Sequence, residues 1–252
     1  MASFVVNGLD QTAKTLLSTE YGFIAEGAEL MVAGADAIDA TGEVQLAVLG
    51  NITTFGDFEA LDFDGNDIDM FIGESGSVFA LSDEAIGINA DSRVEITNHG
   101  AIAADGTAIR VATSDTGAPT NIFNAGTING SSAILVNSGS SATYISNTGS
   151  MFTNGTTISI SSLTGPTTIT NSGVIESGGS TAIITGGGND LIINTGEILG
   201  GISMRSGNDT YDGISGVMTR RVDGGNGDDT LLGGDGTETM RGGNDEDYFL
   251  NR

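Results

Sequence analysis

Four aspartates in the last quarter of the chain, Asp190, Asp209, Asp229 and Asp247, are spaced 19, 20 and 18 residues apart, each closing a glycine-rich stretch. The fullest stretch is Gly224-Gly225-Asn226-Gly227-Asp228-Asp229-Thr230-Leu231-Leu232. Gly233-Gly234-Asp235-Gly236-Thr237-Glu238-Thr239-Met240-Arg241 follows directly, with Glu238 in the acidic place. Gly242-Gly243-Asn244-Asp245-Glu246-Asp247-Tyr248-Phe249-Leu250 comes next, with Asp245 in a glycine's place. Gly186-Gly187-Gly188-Asn189-Asp190-Leu191-Ile192 and Ser206-Gly207-Asn208-Asp209-Thr210-Tyr211 are partial copies. Glycine-rich backbone turns tightly and presents its carbonyls. Aspartate adds carboxylate oxygens, and an all-oxygen donor set suits a hard cation. Two nonapeptides make one winding, so the four aspartates fall on one edge of a wound chain. Glu238, nine residues from both Asp229 and Asp247, falls on the opposite edge.

The full copy matches the nonapeptide G-G-x-G-x-D-x-U-x at every position. On these motifs the segment resembles the RTX (hemolysin-type calcium-binding repeat) family, exported by type I secretion from Gram-negative bacteria. The resemblance covers about residues 185–250, a quarter of the chain. It implies calcium (Ca2+) shared between successive turns. The residues it assigns to metal are Gly186, Gly188, Asp190, Gly207, Asp209, Asp223, Gly225, Gly227, Asp229, Gly234, Gly236, Glu238, Gly243, Asp245 and Asp247. It also implies export of an unfolded chain and folding outside the cell, so a secreted or cell-surface location. The family usually carries a secretion signal after its last repeat. Here only Asn251-Arg252 follow it, which leaves the last coil or a longer parent chain to supply that signal.

Composition removes other chemistries. The chain has 252 residues, 33 acidic against 8 basic, a formal charge of −25, no cysteine and one histidine. That charge opposes binding to a nucleic-acid backbone or an anionic lipid surface. The absence of cysteine excludes disulfides, zinc ribbons and thiol catalysis. The start, Met1-Ala2-Ser3-Phe4, lacks a basic region followed by a long apolar run, so no cleaved signal peptide is expected. No apolar run reaches bilayer-spanning length. His99 has no metal-ligand neighbours in sequence and reads as a surface turn. Asp62-Phe63-Asp64-Gly65-Asn66-Asp67-Ile68-Asp69 lacks the closing glutamate of a helix-loop-helix calcium loop, and reads as a solvated acidic turn.

The elements that carry these residues follow from a repeat. Ile96-Thr97-Asn98-His99-Gly100-Ala101-Ile102 returns as Ile122-Phe123-Asn124-Ala125-Gly126-Thr127-Ile128, then around Asn147, Asn171 and Asn194. Anchored on glycine, the series is Gly27, Gly50, Gly76, Gly100, Gly126, Gly149, Gly173, Gly196 and Gly216, in steps of 20 to 26 residues. Three apolar columns keep register with it. Four residues before the glycine stand Phe23, Leu46, Ile72, Ile96, Ile122, Ile145, Ile169 and Ile192. Two after it stand Ile52, Val78, Ile102, Ile128, Met151, Ile175, Ile198 and Met218. Upstream stand Ile38, Leu61, Ile86, Ile109, Ile134, Ile158, Ile183, Ile202 and Val222. Three short alternating strands per unit predict one coil of a parallel β-helix, whose coils bury their aliphatic residues only by stacking. The predicted architecture is all-β: a right-handed parallel β-helix solenoid of about nine coils running into a calcium-binding β-roll. Residues 1–20 form an N-terminal strand or cap, 21–185 the helix and 186–252 the roll, continuous with it. Asn98, Asn124, Asn147, Asn171 and Asn194 are expected to stack as a structural ladder, with asparagine and glycine at corners because both tolerate positive φ. Thr120, Thr143 and Thr167 hold the places that Asp190 takes in the tail.

Function is less determined. Residues 116–175 carry no Asp, Glu, Lys or Arg, which leaves a Ser/Thr/Asn surface. Open strand edges at the ends of such a solenoid invite pairing with another chain. The expectation is an extracellular, calcium-dependent structural protein that self-assembles as a filament, surface layer or matrix component, and not an enzyme. An adhesin reading, for a cell-surface polysaccharide or ice, would use the uncharged face. A polysaccharide-modifying enzyme would need a cationic or paired-carboxylate cluster, and none stands out from sequence.

Overall fold

The computed structural model describes residues 2–81, 83–113, 117–162, 164–234 and 238–251. Among the described residues there are strands and turns but no helix, and hence no helix long and apolar enough to cross a membrane. Parallel strands stack as a β-solenoid of about nine turns. The first face is a sheet of twelve strands, because incomplete turns at both ends also pair. The other two faces form a single sheet of nineteen strands, since Val174–Ile184 and Glu197–Ser203 bend through the corner between them. First-face strands begin every 23–26 residues from Glu20 to Leu191, then every 18–20 through Thr210, Thr230 and Tyr248. The winding tightens where the glycine-rich copies begin, and strand pairing runs through the change without a break.

Alternation explains the core. Along Val94–Asn98, Val94, Ile96 and Asn98 point inward and Glu95 and Thr97 outward, as the two-residue period of a strand requires. The column Ile38, Leu61, Ile86, Ile109, Ile134, Ile158, Ile183, Ile202, Val222 is in register from turn to turn. All nine side chains are buried. Truncating one such isoleucine to alanine costs about 2–5 kcal/mol, because stacked neighbours cannot collapse into the gap.

One predicted column is corrected. Leu46 pairs with Met70 and Gly22, not with Ile72 and Phe23. The corners at 25–28 and 73–76 are longer than the others. Each is closed by a local turn, Ala28 N–H to Ala25 O at 3.0 Å and Gly76 N–H to Gly73 O at 2.9 Å, so counting back four residues stops short of the column. Ala28, rather than Gly27, takes the anchor place in its turn. Phe4 stands opposite Gly22, and its ring fills the room the missing side chain leaves.

The reason for the anchor glycines is also corrected. Gly100, Gly126, Gly149, Gly173 and Gly196 are not among the residues with positive φ. They are glycine because the carbonyl of the turn below lies where a Cβ would go; a Cβ on Gly126 would strike Gly100 O, and one on Gly149 would strike Gly126 O. The asparagines beside them are strand residues with buried side chains. Asn98 Nδ2 donates to Asn124 Oδ1 at 2.7 Å, Asn124 to Asn147 at 2.7 Å, Asn147 to Asn171 at 2.8 Å and Asn171 to Asn194 at 2.8 Å.

Candidate metal centre

The corner between the third and first faces carries a second polar column. Thr120, Thr143 and Thr167 are in register. Asp190, Asp209, Asp229 and Asp247 continue the line, each reaching back one turn. Asp190 Oδ1 accepts the Thr167 N–H at 2.6 Å, and Asp209 Oδ1 accepts that of Asp190 at 2.7 Å. Asp229 Oδ1 accepts the Asp209 N–H at 2.9 Å, and Asp247 Oδ1 that of Asp229 at 3.2 Å. Asp190, Asp209 and Asp229 are only 2%, 1% and 1% exposed. The second carboxylate oxygen of all three is buried without a hydrogen bond.

Local backbone makes this possible. At Asp209, Asp229 and Asp247 the residues four and two places before the aspartate are left-handed. Gly225 (φ +116°) and Gly243 (+130°) fill the first place, Gly207 (+137°) and Gly227 (+114°) the second. Arg205 (φ +66°) and Asp245 (φ +76°) stand where glycine is missing. At Asp229 and Asp247 a glycine five places before makes room for the second oxygen: a Cβ on Gly224 would strike Asp229 Oδ2, and one on Gly242 would strike Asp247 Oδ2. Thr185 and Met204 hold that place before Asp190 and Asp209. Carbonyls of one turn lie under the next. A Cβ on Gly207 would meet Gly188 O, one on Gly227 would meet Gly207 O, and one on Gly243 would meet Gly225 O. An outer ladder ties the same turns in the opposite sense. Asn208 N–H donates to Asn189 Oδ1 (2.9 Å), Asp228 N–H to Asn208 Oδ1 (3.1 Å) and Glu246 N–H to Asp228 Oδ1 (3.0 Å).

Burial without a counter-charge raises the proton affinity of Asp190 and Asp229 and pushes the Asp209 carboxyl up to about 8, its neighbours Asp190 and Asp229 adding repulsion. A buried carboxylate with no cation is costly. The column fits calcium on three counts: buried carboxylate oxygens without partners, carbonyls stacked beneath them, and glycine where a side chain would fill the space. Asp190, Asp209, Asp229 and Asp247, with the corner carbonyls at Gly186, Gly188, Gly207, Gly225, Gly227 and Gly243, would hold the ion, which supplies the positive charge the carboxylates lack. Among the described residues no three His, Cys, Asp or Glu side chains converge. The column delivers one carboxylate per turn, so an ion between two turns draws the rest of its oxygens from backbone.

Three predicted ligands stand elsewhere. Asp223 follows the core residue Val222, so alternation turns it outward. There it pairs with Arg221 Nη2 at 3.2 Å and Arg241 Nη1 at 3.4 Å. Glu238 and Gly234 lie beyond the end of a first-face strand, at a different corner from the aspartates. The Gly234 N–H donates to Glu238 Oε1 at 2.8 Å, and Oε2 is buried without a partner. Gly236 lies outside the described residues.

Other groupings were not visible in the linear sequence. On the third face Arg110 joins Glu84 (3.0 Å), Glu59 (3.4 Å) and Asn89 (3.1 Å). The Glu59 carboxylate lies over Gly87, which separates Asp62 from Arg110 in its column. Applying the repeat to the outward positions Asp39, Asp62, Gly87 and Arg110 would have lined them up. His99 stands at a partly exposed corner bend, as expected, and its ring sits between Phe71 and Phe123, at 5.6 and 5.7 Å.

The chain matches no family model, no curated protein and no solved structure.

Proposed function

We propose that the chain is an extracellular, calcium-dependent structural protein that self-assembles end to end. The observation that carries this reading is the column of buried aspartates whose second oxygens lack partners. Such a column is unfavourable where calcium is scarce and is stabilised where calcium is plentiful. An acidic chain of −25 gains further when bound cations relieve its self-repulsion. The RTX resemblance supports secretion into such a medium.

Self-association draws on the solenoid's ends. Tyr248–Asn251 pairs with Thr230–Gly233 and, among the described residues, with no strand on its other side. Phe249 continues the core column Ile192, Tyr211, Leu231, yet it is 46% exposed. Tyr248 and Leu250 beside it are exposed as well. Phe4 and Gly22 stand 18 residues apart, as do Leu231 and Phe249, so the two ends have windings of equal length. Equal cross-sections let one copy continue another in a parallel, non-closing stack. Size-exclusion chromatography and negative-stain microscopy in millimolar calcium should show linear oligomers that dissociate in EGTA. Phe249→Lys should stay monomeric in calcium. A wild-type chain that remains monomeric in millimolar calcium contradicts the assembly.

A second reading is favoured by the uncharged coils. Tyr144, 46% exposed, stands with Phe123, Asn121, Thr168 and Thr170 around a shallow hollow of about 280 Å³ on the first face. An aromatic ring beside hydroxyls and an amide suits a neutral sugar. Glycan-array binding lost in Tyr144→Ala would support an adhesin, and a blank array would remove it.

A further inference from the structure

The line of buried oxygens does not start at Asp190. Thr167 precedes it and is joined to it by the same backbone-to-carboxylate bond, at 2.6 Å, that joins each later pair. Thr167 is 1% exposed and Asp190 2% exposed. The Thr185 hydroxyl donates to the Met204 carbonyl at 3.1 Å. Neither Thr167 Oγ1 nor Asp190 Oδ2 completes a hydrogen bond. The stacking of corner carbonyls repeats as well, although Gly165, Gly186 and Gly188 lack the left-handed φ of the later corners. Gly165 stands two places before Thr167, as Gly188 stands before Asp190. A Cβ on Gly188 would strike Gly165 O, just as one on Gly207 would strike Gly188 O.

We propose that the junction between Thr167 and Asp190 is a further cation site, one turn upstream of the glycine-rich copies and built on a single carboxylate. The inference rests on the calcium reading of the aspartate column and adds a site to it. Its oxygens come from the Asp190 carboxylate, the Thr167 hydroxyl and the corner carbonyls. Calcium affinity falls as ligand charge falls, so this site binds more weakly than those between two aspartates. The line of cation sites ends there. Thr143 Oγ1, Thr120 Oγ1 and Ser141 Oγ are also buried without partners, but no carboxylate reaches them, and water suits such neutral pockets.

The test is calorimetric titration of the whole chain with calcium, for wild type, Thr167→Ser, Thr167→Val and Thr167→Asp, each checked for fold by circular dichroism. Wild type and Thr167→Ser should show a tight class of sites and one weaker site. Thr167→Val should lose the weaker site and keep the tight class. Thr167→Asp should tighten the weaker site by about tenfold or more, since it adds a second carboxylate, and should open a new weak site against Thr143 one turn further up. A Thr167→Val isotherm that overlays the wild type in number and affinity overturns the inference while leaving the aspartate column intact. A wild-type chain that takes up no calcium overturns the calcium reading and this site with it.

Discussion

Asn147 gives and receives a buried hydrogen bond, to Asn171 at 2.8 Å and from Asn124 at 2.7 Å. It also donates to the carbonyls of Gly149 and Val174, which ties three turns at one corner. Asn147→Ala takes an acceptor from Asn124 and the donor from Asn171 Oδ1 in a buried corner. The expected loss is about 2–4 kcal/mol, read as a lower urea midpoint with unchanged slope. Arg205 is the opposite case. It holds φ +66° where neighbouring turns use glycine, so it stores backbone strain at a place its side chain does not need. Arg205→Gly should stabilise the chain by about 0.5–1 kcal/mol in the same measurement. The sign separates this from an ordinary substitution to glycine, which destabilises a strand.

At the scale of strands and corners, much was readable in advance. The isoleucine columns follow from alternation and period, because a buried position in a stacked coil admits one kind of side chain. The aspartate line follows from its spacing. The misplacement of Phe23 and Ile72 has a local cause: two corners hold a closed turn, and the added residues carry no signature that distinguishes them from strand. Arg205 was unreadable for a related reason, since a strained arginine looks like any other arginine. The Arg110 cluster joins residues up to 51 apart in the chain, and only outward positions aligned turn by turn bring it together. That cluster makes its own prediction. Burial, then the charges of Asp62 and Glu84, push the Glu59 carboxyl up to about 8, with Arg110 only partly offsetting them. Asp62, buried among Asp64, Asp36 and Asp39, is pushed up to about 6. The folded chain therefore holds these protons more tightly than the unfolded chain. The resulting stability is full below the ordinary value of 4.5 and is lost as pH rises through about 8. Glu59→Gln removes the Glu59 share. It should match wild type at about pH 4 and exceed it by on the order of 1–2 kcal/mol at about pH 9. Parallel stability curves for the two proteins across that range contradict the assignment.

At the scale of the whole molecule, charge and winding are divided along one axis. Acids flank the middle coils on both sides, 20 in residues 1–115 and 12 in residues 190–252, and only the tail sets a line of them at one corner of a tight winding. The middle coils, without charge between residues 116 and 175, hold together by aliphatic columns and an asparagine ladder that need no ion. On the proposed function, the cohesion of one end of this rod would depend on the medium: an unfolded chain would pass through a cell poor in calcium, and the folded rod would join its neighbours outside. Crystals grown in calcium test the central claim most directly, through an anomalous difference map. The account predicts a calcium peak at the corner between each successive pair of Asp190, Asp209, Asp229 and Asp247, bound by carboxylate and carbonyl oxygens. Density at those corners that refines as water, or calcium found only elsewhere, contradicts it.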